Sequence, residues 1–129
     1  MKPGIIHRED GSVAVPSAWL ADGWWTRLRG LLFRAPLRVE GPEGLLIRPC
    51  ASVHTMWMRY PLDVLFLDRA GQVCGWRSSV KPWRTVGCRG AFATLELRAG
   101  ALASIHPRMG ETWRWQSDAE PAVSGGEEL

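Results

Sequence analysis

Residues 48–68 read RPCASVHTMWMRYPLDVLFLD and contain the strongest structural signal in the chain. After Pro61, residues 62–67 form an apolar run that is typical of a β-strand. Residues 68–71, Asp-Arg-Ala-Gly, are turn formers and predict a hairpin into a further strand over residues 72–76. This stretch therefore predicts a fold that is built around a β-sheet.

The other elements predicted from the sequence are also short. A helix is predicted within residues 18–33, where Asp22 can act as the N-cap and apolar residues recur at helical spacing, and a second over residues 99–106. Turn residues recur roughly every 8 to 12 positions, as in small β-rich proteins. The predicted fold class is α+β with β dominant, as a small, mostly antiparallel sheet or half-open barrel with two short helices. The remaining predicted strands cover residues 12–15, 45–47, 53–58, 91–97 and 112–116.

Length and composition are those of a single globular domain. The chain has 129 residues, 46% hydrophobic and 22% charged, and a chain of this size buries roughly two-thirds of its unfolded surface. We expect one domain over residues 1–117. Residues 118–129 are rich in Glu, Gly, Ser and Pro and have little to bury, which predicts a disordered tail.

The sequence predicts a cytoplasmic protein. No apolar run approaches the roughly 20 residues of a transmembrane helix, so no membrane span is expected. The first residues lack the hydrophobic region of a signal peptide. Three cysteines, an odd number, fit reduced thiols better than a disulfide framework.

Charge and tryptophan content bear on the partners. The net charge is +3, and the basic residues are spread along the chain, which favours a solvated basic surface over a phosphate-binding stripe; we therefore expect no nucleic-acid partner. Eight tryptophans are unusual in a chain of this length. They either fill the core and its rim or line an aromatic groove for a small molecule or a protein, and both readings stay open.

A face of soft ligand atoms is predicted in the segment that precedes Pro61. If residues 50–58 are extended, side chains alternate, and a thiol, an imidazole and two thioethers share one face. Such donors suit Cu(I), or zinc for thiolate with imidazole, and the candidate metal ligands are Cys50, His54 and Cys88. In the alternative reading, the methionines and cysteines at these positions are core residues.

The same Cys50 and His54 raise the possibility of a nucleophilic thiol with a histidine base. On a strand, residues four apart share a face but lie roughly 13 Å apart, so these two meet only if the chain bends between them. No complete catalytic motif is present in the sequence. A non-catalytic protein is therefore favoured, and the question of an enzyme stays open.

Two acidic residues stand out by position. Asp63, at the entry to the strongest predicted strand, is expected to cap a turn by accepting backbone N–H bonds. Glu96 lies inside a strand; if it points inward it must be paired, with Arg27 and Arg59 as candidate partners, and if outward it is solvated. Carboxylates and an arginine around a cleft suit ligand binding. The candidate ligand-binding residues are His54, Trp57, Met58, Asp63, Glu96 and Arg27.

Four sequence blocks resemble the bacterial and archaeal family called domain of unknown function 192. The resemblance as a whole extends over about residues 19–115, with the blocks in the order and spacing of the family. Leu32 stands where that family usually has Met, and Arg98 where it usually has Pro. The blocks are residues 27–32 (RLRGLL), 43–46 (EGLL), 57–66 (WMRYPLDVLF) and 95–100 (LELRAG).

The resemblance implies a compact β-rich domain with short helices, and it puts Met58, Asp63 and Glu96 at signature positions. It brings no activity, substrate or cofactor, and some members carry export signals. The function expected from the sequence is a non-catalytic domain that binds a small ligand or a partner. The alternatives are a soft-metal protein that binds copper or zinc and a Cys/His-dependent hydrolase.

Overall fold

The computed structural model of the protein describes residues 2–22, 43–54 and 60–118. In this part of the chain, ten short strands and one short helix follow each other, with the helix before the last strand. Their bounds are β1 Gly4–Arg8, β2 Val13–Val15, β3 Ser17–Ala21, β4 Glu43–Ile47, β5 Ser52–His54, β6 Leu62–Leu67, β7 Val73–Val80, β8 Thr85–Gly87, β9 Ala93–Arg98, α1 Ala101–Ile105 and β10 Trp113–Ser117.

A five-stranded sheet with strand order β3-β4-β9-β6-β7 forms the centre of the fold. Only β3 and β4 run parallel; the other neighbours in this sheet are antiparallel. The strand predicted over residues 62–67 is β6, and all six of its residues are buried. The predicted β-dominant α+β class is confirmed, in its open-sheet form, because the sheets of the described residues do not close into a barrel.

A second sheet packs on one face of the central sheet. It has the order β10-β1-β2 and is antiparallel throughout. Ile6 and Trp113 of this sheet belong to one apolar cluster with Leu65 and Leu95 of the central sheet, and α1 adds Leu102. We call this cluster the first core. Each such side chain contributes about 1.5–3 kcal/mol of folding free energy when it is fully buried.

The opposite face of the central sheet carries a second core. β5 and β8 pair as a two-stranded ribbon, and their Val53 and Val86 cluster with Val64 and Phe66 of β6. Successive residues of a strand point to opposite faces, so Leu65 enters the first core while its neighbours enter the second. A strand with a core on both sides has no solvent face, which explains the unbroken apolar run.

The start of the first predicted helix is wrong. Residues 18–21 belong to β3, which pairs in parallel with β4. Ala18, Leu20 and Ala21 are buried in that strand, so pairing within the sheet overrides a weak helical preference. Residues 23–33 of the predicted helix lie outside the described residues.

The second predicted helix, over residues 99–106, is confirmed as α1. The sequence pattern does not predict β1 or β8. The predicted strand over 53–58 is described only as far as His54, and residues 119–129 of the predicted tail also lie outside the described part. Among the described residues, no helix has the length and apolar character needed to cross a membrane.

Candidate functional site

Glu96 is a carboxylate buried in the second core. It lies on β9 between two strands, opposite Leu45 of β4 and Val64 of β6. Residues directly opposite each other in a ladder have their side chains on the same face, and both of these neighbours belong to the second core. Glu96 therefore points inward, and it is only 7% exposed.

The described residues opposite Glu96 on both neighbouring strands are apolar. Within residues 2–22, 43–54 and 60–118, no hydrogen bond or ion pair to its carboxylate is found. Burial raises the pKa of Glu96 from 4.5 to about 7, because a low-dielectric environment disfavours the charged form. Arg27 and Arg59, the predicted partners, lie outside the described residues. Near neutral pH this carboxyl group is therefore partly ionised, and it can either accept or donate a hydrogen bond.

Among the described residues of β9, Arg98 is a cation on the same strand face as Glu96. It lies two residues further along β9, and its guanidinium carbon is 5.5 Å from the ring centre of Tyr60. A guanidinium over an aromatic face gains cation–π stabilisation. The edge of the second core nearest the end of β9 therefore combines a cation, a phenol ring and a buried acid.

Asp63 faces the other side of the sheet. Its partner across the ladder is Leu97 of the first core, and it is 1% exposed. Its Oδ1 accepts the Ser79 N–H at 2.8 Å, and its Oδ2 accepts the N–H groups of Gly100 at 3.0 Å and Leu102 at 2.9 Å. The carboxylate joins β7 to the start of α1, which is the backbone-capping role expected from the sequence.

The other candidate ligand-binding residues are only partly described. His54 is the last residue of β5 and pairs with Thr85 of β8, which fixes its backbone on the ribbon over the second core. Arg27, Trp57 and Met58 lie outside the described residues. The structure thus places the backbone of His54 on the same side of the central sheet as Glu96, and it separates Asp63 from both.

The described contacts of the three cysteine thiols are with backbone carbonyls and with one another. The Cys50 thiol donates to the Ser52 carbonyl at 3.0 Å. Cys88 Sγ lies 3.7 Å from Cys74 Sγ and 3.4 Å from the Cys74 carbonyl oxygen. In the described residues, no group of three or more His, Cys, Asp or Glu side chains is arranged to hold a metal ion.

Cys74 is the residue of this cluster that the sequence pattern does not single out. Burial first, and then the neighbouring Cys88 thiol, raise the pKa of its thiol to about 11. A thiol of this kind stays protonated near neutral pH and is a weak nucleophile. Cys74 lies on β7, directly after Val73. Its proximity to Cys88 results from the contact between β7 and the segment after β8, and the sequence alone does not reveal that contact.

The sequence comparisons agree with the motif blocks. A family model, DUF192, described as "Uncharacterized ACR, COG1430", matches residues 5–115. The chain belongs to this family. A UPF0127 protein of Thermococcus sibiricus is 26% identical over 122 residues, covering 90% of this chain and 77% of that protein. UPF0127 protein PF1050 of Pyrococcus furiosus is 32% identical over 101 residues, covering 74% of this chain and 83% of that protein.

Two solved structures share the fold of this DUF192 chain. A protein of unknown function from Novosphingobium aromaticivorans superposes with a TM-score of 0.71 at 24% identity, covering 88% of this chain and 84% of that chain. A structure named as a putative transcription regulator from Sinorhizobium meliloti has a TM-score of 0.71 at 19% identity, covering 88% of this chain and 92% of that chain. At these identities the likeness shows the fold alone.

Proposed function

We propose that this DUF192 domain is a non-catalytic binding protein that holds a small ligand against Glu96, on the second-core side of the central sheet. The observation that carries the proposal is the inward-pointing Glu96, which is 7% exposed and has no hydrogen-bond partner among the described residues. A buried carboxylate is costly unless a donor satisfies it. A ligand with an N–H donor would relieve that cost.

The chemistry of Glu96 defines the ligand class. A carboxyl group whose pKa is raised to about 7 by burial accepts hydrogen bonds when ionised and donates one when protonated. An amine, guanidine or amide pairs with the ionised form, and such a partner lowers the pKa. Binding of an amine ligand at neutral pH is therefore expected to release protons.

The remaining candidate residues complete the proposed site. Trp57 and Met58 would supply apolar surface, and His54 and Arg27 would supply hydrogen bonds that orient the ligand. Binding pockets commonly combine predominantly apolar walls with a few polar groups. Asp63 contributes to this site only through β6, since its carboxylate oxygens bind backbone N–H groups on the other face.

A thermal-shift screen tests the proposal. A panel of small amines, guanidines and amides is added at about pH 7 to the wild-type chain and to Glu96→Gln. A ligand at roughly one hundred times its Kd stabilises by about 2.7 kcal/mol, which raises Tm by about 10 °C in a domain of this size. We expect at least one compound to produce this shift in the wild type and to lose most of it in Glu96→Gln.

Glu43→Gln is the matched control, because Glu43 lies on the same sheet at the start of β4 and outside the second core. It should keep the wild-type response. A panel in which no compound stabilises the wild type, or in which a compound stabilises Glu96→Gln equally, would overturn the proposal.

A further inference from the structure

A second pocket lies on the first-core side of the central sheet, away from Glu96. Its volume is about 300 Å³, and it opens between one end of the central sheet and strand β10. Its floor is apolar and is made by Leu46, Leu67, Ala93 and Trp113, all buried members of the first core. An apolar floor of this kind favours a ligand with apolar surface of its own.

The rim of this pocket is cationic. The guanidinium carbon of Arg69 lies 4.6 Å from the ring centre of Phe92, and that of Arg48 lies 5.9 Å from the ring centre of Trp115. All four residues line the pocket. Stacking on an aromatic ring holds a guanidinium in one orientation while its N–H donors stay available at the edge.

Neither arginine makes an ion pair in the described part of the chain, where the ion pairs are Lys2–Asp22 and Arg8–Glu111. The acidic residue at the pocket is Asp68, and its Oδ1 accepts the N–H groups of Ala70 and Gln72 in the β6–β7 turn. The pocket therefore presents two arginines stacked on aromatic rings above an apolar floor, and Arg114 is a third arginine of its lining, in a chain of net charge +3.

We propose that this pocket binds a small organic anion with a flat, apolar body, whose carboxylate or phosphate lies between Arg48 and Arg69. The guanidinium fork matches the geometry of both anionic groups. The rings of Phe92 and Trp115 and the apolar floor accept the flat part of the ligand. This site is separate from the one at Glu96, because the central sheet lies between them.

Binding of 2-naphthoate tests the proposal directly, followed by isothermal titration calorimetry with the full chain. Its neutral analogue 2-naphthol has the ring without the charge, and inorganic phosphate has the charge without the ring. We expect saturable binding of 2-naphthoate at one site and weakening by about tenfold or more in each of Arg48→Gln and Arg69→Gln, as for the loss of a charge-assisted hydrogen bond.

Arg77→Gln is the matched control, since Arg77 is an exposed arginine on β7 that does not line the pocket. It and Glu96→Gln should bind 2-naphthoate as the wild type does. Thermal melts establish that each variant is folded, and Arg48→Lys separates the loss of charge from the loss of the planar fork. Equal binding of 2-naphthol and 2-naphthoate, equal weakening by Arg77→Gln, or no binding of 2-naphthoate would overturn the proposal. Binding of phosphate alone with the affinity of 2-naphthoate would overturn the requirement for an apolar body.

Discussion

Asp63 and Glu96 are buried acids on adjacent antiparallel strands, yet they point to opposite faces of the central sheet. Asp63 is opposite Leu97 and Glu96 is opposite Val64, so a shift of one position along the ladder separates them. Three backbone N–H groups satisfy Asp63, whereas the residues opposite Glu96 on both neighbouring strands, Leu45 and Val64, are apolar. Two carboxylates that look alike in the sequence thus have different energetic roles.

The stability of the protein should decrease as Glu96 ionises. Its pKa is raised by burial from 4.5 to about 7, so the unfolded chain releases this proton at lower pH than the native state does. Below about pH 4.5 the carboxyl group is protonated in both states, and no effect on the free energy of unfolding is expected. Between about pH 4.5 and 7 this free energy decreases, and above that range the total decrease is about 3 kcal/mol. Glu96→Gln should therefore be more stable than the wild type at about pH 8 and similar near pH 4.

Urea unfolding of the wild type, Glu96→Gln and Glu43→Gln at these two pH values measures the effect. Glu43→Gln should follow the wild type. A Glu96→Gln protein that is less stable than the wild type at about pH 8 would show instead that the ionised carboxylate is paired.

Removal of the Asp63 carboxylate should be costly. Asp63→Ala leaves three N–H groups without their acceptor next to the first core, and the expected loss is about 3 kcal/mol or more of unfolding free energy. Asp68→Ala is the matched control, because its carboxylate also accepts two backbone N–H groups but in an exposed turn, where water replaces it at a cost of about 1 kcal/mol. Chemical denaturation that gives equal losses for the two variants would contradict the structural role of Asp63.

Cys74 and Cys88 should form a disulfide on oxidation. Their Sγ atoms lie 3.7 Å apart, and glutathione disulfide would take up the two electrons and two protons that the thiols lose, giving two molecules of glutathione. Because the raised pKa of Cys74, about 11, keeps its thiol protonated, the reaction should be slow near pH 7 and faster at higher pH. Peptide mapping by mass spectrometry should find the 74–88 cross-link in Cys50→Ser and lose it in Cys88→Ser. A wild-type protein in which Cys50 is cross-linked as often as Cys74 is to Cys88 would refute the pairing.

The ion pair between Arg8 and Glu111 should stabilise the protein more than the one between Lys2 and Asp22. The Arg8 guanidinium binds both Glu111 oxygens, at 2.9 and 2.7 Å, and the two side chains are only 16% and 10% exposed. Lys2 and Asp22 are 3.7 Å apart and 64% and 44% exposed. Double-mutant cycles to alanine should give a coupling of about 1–3 kcal/mol for the first pair and below about 0.5 kcal/mol for the second. Equal couplings would contradict this ranking.

The central strand was predictable because its cause is local. Residues 62–67 are apolar without interruption, and the structure explains this by a core on each face. β1 was not predictable in the same way. Gly4–Arg8 is held as a strand by its pairing with β10, which lies at the other end of the described chain. The parallel β3–β4 pair was not predicted, for a similar reason. Residues 23–42 separate its two strands in the sequence, and the local pattern favoured a helix.

The candidate site was predictable only in part. The inward alternative for Glu96 follows from alternation, but which face it takes depends on the register with Leu45 and Val64. The proximity of Cys74 and Cys88 depends on how β7 meets the segment after β8, which no spacing rule contains. The pocket between Arg48 and Arg69 combines residues from four separate segments of the chain, within residues 46–48, 67–71, 92–93 and 113–115, so only the folded chain brings it together.

The pairing of β1 with β10 has a consequence for biosynthesis. The two strands are joined along five registered positions, and Arg8 and Glu111 beside them are 103 residues apart. During translation, which adds about 5–20 residues per second, β1 leaves the ribosome several seconds before its partner exists. For that interval its edge and one face of the central sheet stay uncovered, and such edges pair readily with other chains. We therefore expect the protein to depend on chaperones during its synthesis rather than after its release from the ribosome.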